Sequence, residues 1–308
     1  MAAIPFHQAP HYYRFMIGGA PATVVSDGVL PIGQAVKLFP NVDYGVIAKE
    51  LEANFLPEGE VLAEQNVLVA EVNGKTVLFD TGMGCLNRYG EIHFGDTCGK
   101  LLHNLSAAGI DRFKIDAVVM THGHIDHCGG LVAEDGSLNF PNAVYYVSKT
   151  EFDFWTSVDQ PNAMQRDVAR RNLLPVQDKL HLIDGGEEFL PGITALSTPG
   201  HAPGHMIFLI QVAGQELAFL GDLIHHHVLQ SDCRREFAFD GEPIQAAETR
   251  VRTLRKLAVE RVWCLVFHFP WPGLGHFVQD GDDRFRFLPS PVKMLDRIGR
   301  DDPHLVWP

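Results

Sequence analysis

The sequence predicts a layered α/β sandwich, on three observations. Short β-rich runs occur in both halves of the chain, helical periodicity fills the stretches between them, and several runs end at histidine or aspartate. Residues 66–72 (NVLVAEV) and 76–80 (TVLFD) are the first two strands, joined by Asn73-Gly74, a dipeptide that takes up the positive φ angles of a tight hairpin. The second strand delivers the chain into the glycine-rich turn 80–84. Leu101, Leu102, Leu105 and Ala108 fall at helical spacing and place a helix over 99–108. A buried strand at 117–120 runs into a histidine cluster, and a strand at 143–147 precedes helical material through Leu173. In the second half, 193–196, 206–212 and 216–220 have strand character, the last two joined by a turn at Gly214. Ile244, Ala247, Val251, Leu254 and Leu257 recur every three or four residues, so 242–259 is a helix with one apolar face. A short buried strand, 262–267, ends at another histidine. No linker divides the chain, which is expected to be one domain over 1–308 with residues 1–20 as an N-terminal arm.

With 308 residues, 46% of them hydrophobic, the chain is long enough to bury a sizeable core without staples. Lys and Arg total 25 against 38 Asp and Glu, a net −13, which opposes a broad nucleic-acid or anionic-membrane surface because such partners need a positive field. Cys85, Cys98, Cys128, Cys233 and Cys264 show no repeating spacing, so a reducing compartment is expected rather than a disulfide framework. The N-terminus lacks a basic start followed by an apolar stretch, and no apolar run approaches the ~20 residues that span a bilayer. The expectation is a soluble cytoplasmic protein with no nucleic-acid or membrane partner.

The chemistry is concentrated in histidine, of which there are 16. Thr121-His122-Gly123-His124-Ile125-Asp126-His127 sets three imidazoles and a carboxylate directly after a buried strand, where a tight turn aims donors at one place. His201 lies in the Pro- and Gly-pinned loop 198–205, while His205 opens the next strand and is expected to support the site. Gly221-Asp222 ends a buried strand, where a carboxylate needs a counter-charge and is able to bridge two cations. His268 ends the last buried strand and is preferred over His276, which flanks the same Pro/Gly turn. The count gives His122, His124 and His201 to one ion, Asp126, His127 and His268 to the other, and Asp222 to both. Each ion keeps a position open for water, as catalytic sites do. Mixed nitrogen and oxygen donors fit Zn, Mn, Fe or Co without choosing among them; two divalent ions are expected, with zinc the first candidate. Cys128 is expected to pack, not to ligate.

The ordered set His122-x-His124-x-Asp126-His127, His201, Asp222 and His268 resembles the metallo-β-lactamase superfamily. The resemblance spans about 67–276 and implies an αββα sandwich, two mixed sheets flanked by helices, with a dinuclear site at one edge. It also implies a supporting role for Asp80 in the turn 79–82. The stretches 151–155, 198–205, 221–224 and 272–276, together with Tyr13-Arg14 and 284–289, look like methyl parathion hydrolase and its lactonase-like relatives. That family hydrolyses phosphotriesters, lactones or aryl esters, often as homodimers. Departures at His225-His226-His227 and in 85–98 fall where a pocket would be shaped, so the substrate does not carry over.

The expected reaction is attack by a bridging hydroxide on a carbonyl carbon or phosphorus, with Asp126 or Asp222 orienting it and passing a proton to the leaving oxygen. Trp155, Phe94, Trp271 and His225 are the expected pocket residues. A glyoxalase II-like thioesterase would need a basic C-terminal patch, and here Arg284 and Arg286 stand beside Asp282 and Asp283. A secreted β-lactamase is disfavoured by Asp222, where those enzymes often use cysteine, and a nuclease by the acidic balance. The remaining alternative is a non-catalytic metal-binding scaffold, which would usually have lost ligands that this chain keeps.

Overall fold

The computed structural model describes residues 10–86, 88–89 and 92–291. One seven-stranded sheet has the order β1–β2–β3–β4–β7–β8–β9. Its members are β1 (Tyr12–Ile17), β2 (Ala20–Gln34), β3 (Glu60–Val72), β4 (Lys75–Phe79), β7 (Ala117–Val119), β8 (Val144–Ser148) and β9 (Leu180–Ile183), while β5 (Arg88–Tyr89) and β6 (Ile92–His93) form a small separate ribbon. The second sheet runs in sequence order through β10 (Glu188–Leu190), β11 (Ile193–Ser197), β12 (Met206–Val212), β13 (Gln215–Phe219), β14 (Trp263–Leu265), β15 (Leu274–Gln279) and β16 (Phe285–Pro289). The helices are α1 (Ala35–Leu38), α2 (Tyr44–Ala53), α3 (Leu101–Ala107), α4 (Ile125–Cys128), α5 (Lys149–Thr156), α6 (Ala163–Leu173) and α7 (Pro243–Val259). Among the described residues no helix is long and apolar enough to cross a membrane.

The two sheets repeat one design. In the first, β3 and β4 pair antiparallel and β4 then pairs parallel with β7; in the second, β12 and β13 pair antiparallel and β13 pairs parallel with β14. Phe79 sits opposite Val119 and Phe219 opposite Leu265, each at the end of its parallel pair. Inward-facing aromatic residues join the sheets: the Phe79 ring lies 5.9 Å from Phe208 and 5.6 Å from Phe219. Burying side chains of this size contributes roughly 1.5–3 kcal/mol each, so the interlayer core fixes how the strand ends of both sheets meet.

The Asn73-Gly74 hairpin is present with φ of 49° and 79°, and the segments expected as strands or helices lie within a few residues of observed elements. Two expectations are corrected. Residues 1–9 of the expected N-terminal arm lie outside the described residues, but from Tyr12 the chain is an edge strand paired along β2, not an arm. β2 itself escapes a periodicity reading because bulges between Ser26 and Val29 and between Pro31 and Gly33 shift its register. The last buried strand ends at Leu265, not at residue 267. There Asn66 on β3 takes over the backbone: its N–H donates to the Phe267 carbonyl, and its side-chain amide donates to the carbonyls of Val266 and Phe269. This bridge swings His268 from the second sheet toward the first.

Candidate metal centre

The chemistry-bearing side chains follow the carboxyl ends of strands in both sheets. Asp80 follows β4, the 121–127 segment follows β7 and winds into α4, His201 lies between β11 and β12, Asp222 follows β13, and His268 comes after β14. Strand ends leave the sheet with unspent backbone and face one another across the edge of the sandwich, as in other α/β folds where ligands gather at such ends.

Two clusters share one carboxylate. In the first, the His124 Nδ1 lies 2.9 Å from His122 Nε2 and 3.0 Å from His201 Nε2, while Asp222 Oδ2 is 3.1 Å from His201 Nε2 and 3.8 Å from His122 Nε2. In the second, Asp222 Oδ1 is 3.0 Å from His127 Nε2 and 3.2 Å from His268 Nε2, and Asp126 Oδ2 is 3.7 Å and 3.4 Å from the same two nitrogens. Asp222 thus turns one oxygen to each cluster.

Outer hydrogen bonds decide which nitrogen of each ring faces inward. Asp80 accepts from His127 Nδ1, from the Thr121 amide and from the Thr121 hydroxyl, each at 2.8 Å. Since the Thr121 proton goes to Asp80, its oxygen accepts from His122 Nδ1 at 3.0 Å. His201 Nδ1 donates to Asp240 and His268 Nδ1 to the Glu64 carbonyl. In the neutral rings this leaves lone pairs on the Nε2 atoms of His122, His127, His201 and His268, all directed at the centre. Among the described residues, the His127 Nε2 and Asp222 Oδ1 atoms are buried with no hydrogen-bond partner, although they stand 3.0 Å apart as a charge pair. Converging lone pairs and an orphaned carboxylate oxygen fit divalent cations.

The charge balance has the same form. Burial holds His122 and His124 well below the ordinary imidazole range, with the charges of His127 and His201 adding to it. Burial also works against a charge on His127, yet Asp222, Asp126 and Asp80 outweigh it and hold the ring well above that range. The same contest, won by Asp222 in each case, raises His201 to about 9 and His268 to about 10. Asp222 itself is held well below the carboxylate range, because the surrounding imidazoles overcome the cost of burial.

Two expected outcomes arise here. Asp80 has φ of 58°, which asparagine tolerates, so Asp80→Asn keeps the turn and removes the charge behind His127. Zinc affinity measured by chelator competition is expected to fall about 10–100-fold. The second concerns acid stability. Burial, then the charge of His227, pushes His226 down to about 3, and its Nδ1 accepts from the Val228 and Leu229 amides. A folded-state value below the unfolded 6.5 means stability is complete above pH 6.5 and is lost as pH falls toward 3. Each such group costs ~1.4 kcal/mol per pH unit across that window. His205, at about 3, and His225, at about 4, add the same sign. Denaturant unfolding at pH 7.5 and pH 5 is expected to show a shallower loss in His226→Asn than in the wild type.

A cavity of about 900 Å3 opens over the clusters, lined by His124, Asp126, His201, Asp222, His225 and His268 and walled by apolar groups including Leu30, Ile32, Phe94, Trp155, Met164 and Phe237. Phe94, Trp155 and His225, which the sequence reading expects at a substrate pocket, line this cavity. His225 is stacked on Phe237, with Nε2 3.0 Å from Asp222 Oδ2. Trp271 is a correction: it lines a different cavity, beside Glu64, Lys100 and His103, because the chain after His268 turns back along β3. His276 sits on β15 opposite Leu288, outside the clusters. His205 is buried behind the centre, where its Nε2 accepts from the Asp222 amide. No local pattern marks Asp240, which lies 39 residues from the ring it supports, or Arg250, whose guanidinium holds Asp240 at 2.9 Å. Glu151 falls in the resembling stretch 151–155, and no local pattern marks a role for it.

Two mixed seven-stranded sheets flanked by helices, with paired His/Asp clusters at one edge, define an αββα sandwich built around a candidate dinuclear centre. A family model described as the metallo-beta-lactamase superfamily matches residues 62–262, and the chain belongs to that superfamily. Among curated relatives, N-acyl homoserine lactonase AiiA of Bacillus thuringiensis subsp. kurstaki is 27% identical over 112 residues, 36% of this chain and 39% of the relative. N-acyl homoserine lactonase AttM of Azorhizobium caulinodans is 29% identical over 117 residues, 35% of this chain and 40% of the relative. The matches thus span about two fifths of those relatives' length. Among solved structures, the hydrolase AbOPH of the beta lactamase superfamily superposes with a TM-score of 0.85 at 26% identity, over 94% of this chain and all of that one. AidC, described as a dizinc quorum-quenching lactonase in complex with a product, superposes with a TM-score of 0.83 at 24% identity, covering 92% and 98% of the two chains, a likeness of fold.

Proposed function

We propose that this chain is a dinuclear metal-dependent hydrolase that opens lactones or cleaves related carboxylic esters. The observation that carries this reading is the placing of Asp222, with one oxygen turned to each imidazole cluster, at the base of a largely apolar cavity. His122, His124 and His201 would hold one cation and Asp126, His127 and His268 the other, with Asp222 common to both. Two divalent cations there, zinc first, supply water activation near neutral pH and polarisation of the substrate's C=O or P=O oxygen. Asp126 lines the cavity and is placed to orient the attacking water and return a proton to the leaving oxygen. His225 holds the Asp222 carboxylate from the cavity side, and Phe94 and Trp155 keep the apolar part of a substrate against the centre. The lactonase names of the partial relatives support a lactone as the first substrate to try.

The test is kcat/KM of zinc-replete protein on one panel: N-acyl homoserine lactones, simple lactones, aryl esters, a thioester and a methyl phosphotriester. Lactones or esters are expected to lead. A phosphotriester ahead of them would replace the carboxylic-ester reading with organophosphate hydrolysis, and a leading thioester would favour the glyoxalase II-like alternative. Two bound zinc ions with no turnover of any panel member would point to a non-catalytic scaffold.

A further inference from the structure

We infer that Glu151 is a positioning residue: one carboxylate that sets the two histidine loops of the His122–His124–His201 cluster against each other and against the cavity wall. The inference rests on the dinuclear reading above. Glu151 lies on α5 and is wholly buried. Its Oε2 accepts from the Gly123 amide at 2.9 Å and from the Trp155 indole N–H at 2.8 Å, and its Oε1 accepts from the Gly204 amide at 2.7 Å. Gly123 stands between His122 and His124 on the loop after β7, and Gly204 is three residues past His201 on the loop after β11. Loops from different sheets are therefore tied by the two oxygens of one side chain.

His124 explains why this matters. Among the described residues, His122, His127, His201 and His268 each have an outer hydrogen bond that sets the ring, to Thr121, Asp80, Asp240 and the Glu64 carbonyl. The hydrogen bonds of His124 instead go from Nδ1 to the inward nitrogens of its fellow rings. Its orientation comes from the Gly123 backbone and from an edge contact on Trp155, with ring centroids 4.9 Å apart. Glu151 holds both. The packing leaves little slack, since a Cβ on Gly123 would lie 2.7 Å from Trp155 Cδ1 and one on Gly204 would lie 2.7 Å from the Glu151 amide. The second cluster is anchored elsewhere, through Asp80 and the Glu64 carbonyl, so loss of the Glu151 charge acts on one metal position. A glutamine at 151 offers a single acceptor and turns its NH2 toward a backbone N–H, leaving one loop unheld.

The test is zinc binding to metal-free wild type, Glu151→Gln and Trp155→Phe by competition with a chromophoric chelator, with His201→Ala and His268→Ala assigning the two positions. In Glu151→Gln the position lost in His201→Ala is expected to weaken about 10–100-fold, while the position lost in His268→Ala keeps its affinity. Trp155→Phe, which removes one of the three bonds, gives a smaller loss at the same position. Near-UV circular dichroism checks the fold, and if Glu151→Gln does not fold, the split in Trp155→Phe decides. Equal weakening of both positions, or of neither, would show a structural group without the positioning role. Wild-type protein that binds no zinc overturns the dinuclear reading and this inference together; wild type with two zinc ions and variants without a split overturns this inference alone.

Discussion

Replacing Asp222 by alanine is expected to remove both metals and hydrolysis in one step. Asp222 is the side chain that meets both clusters, at 3.1 Å from His201 Nε2 through one oxygen and 3.0 Å from His127 Nε2 through the other. Losing it deprives each position of its shared anionic donor. It also leaves His127, His201 and His268 with less negative charge to hold them, so repulsion among them rises as the donors are thinned. Metal-assisted polarisation is worth several kcal/mol of transition-state stabilisation. At 1.36 kcal/mol per tenfold in rate, kcat/KM should fall by about three orders of magnitude or more. Equilibrium dialysis against zinc checks the stoichiometry beside the rate. His268→Ala, by contrast, should release one ion and keep the other. An Asp222→Ala protein that retained two ions and turned over substrate would end the bridging role.

The second large effect is on stability. Arg250 on α7 is 0% exposed, and its guanidinium donates to the carbonyls of Leu223, Cys233 and Arg235 and to Asp240. It thereby fastens the 222–240 segment, which carries Asp222, His225 and the Phe237 wall, and it neutralises the carboxylate behind His201. Arg250→Ala leaves Asp240 buried with the His201 hydrogen bond but without its guanidinium, and three carbonyls without this donor. Removing one partner of a buried pair costs about 3–5 kcal/mol, a large share of the ~5–15 kcal/mol that holds a typical domain. At ~2–4 °C per kcal/mol for chains of this order, the melting temperature of the metal-free protein is expected to drop by roughly 10 °C. The same change made on top of Asp240→Ala should cost less, because the charge it strands is gone. Equal costs in both backgrounds would show that the carbonyl bonds, not the Asp240 charge, dominate.

Much of the site was legible along the chain because its ligands come from strand ends, and strand ends are marked locally by a buried run stopping at a polar residue. His122, His124, Asp126 and His127 share one turn, and Asp222 and His268 each close an apolar run. The supporting groups were not legible for the converse reason. Asp240 and Glu151 touch the loops they serve from far along the sequence, and an acidic residue in a loop or on a helix looks the same whether it faces solvent or a backbone amide. Trp271 lies off the centre on the same ground: its nearness in sequence to His268 says nothing about which side of the bend it faces. β2 is not legible as a strand because bulges and a proline break the alternation by which strands are recognised.

The layered α/β class, the order of the ligand-bearing turns and the donor types can be read along the chain, because they depend on patterns within a few residues. It takes the folded chain to show that Asp222 turns one oxygen to each cluster, that Asn66 carries His268 across to the first sheet, and that one buried carboxylate joins loops from both halves. Those relations are distances between segments brought together by burying the aromatic layer between two sheets, and no local preference in the chain encodes them.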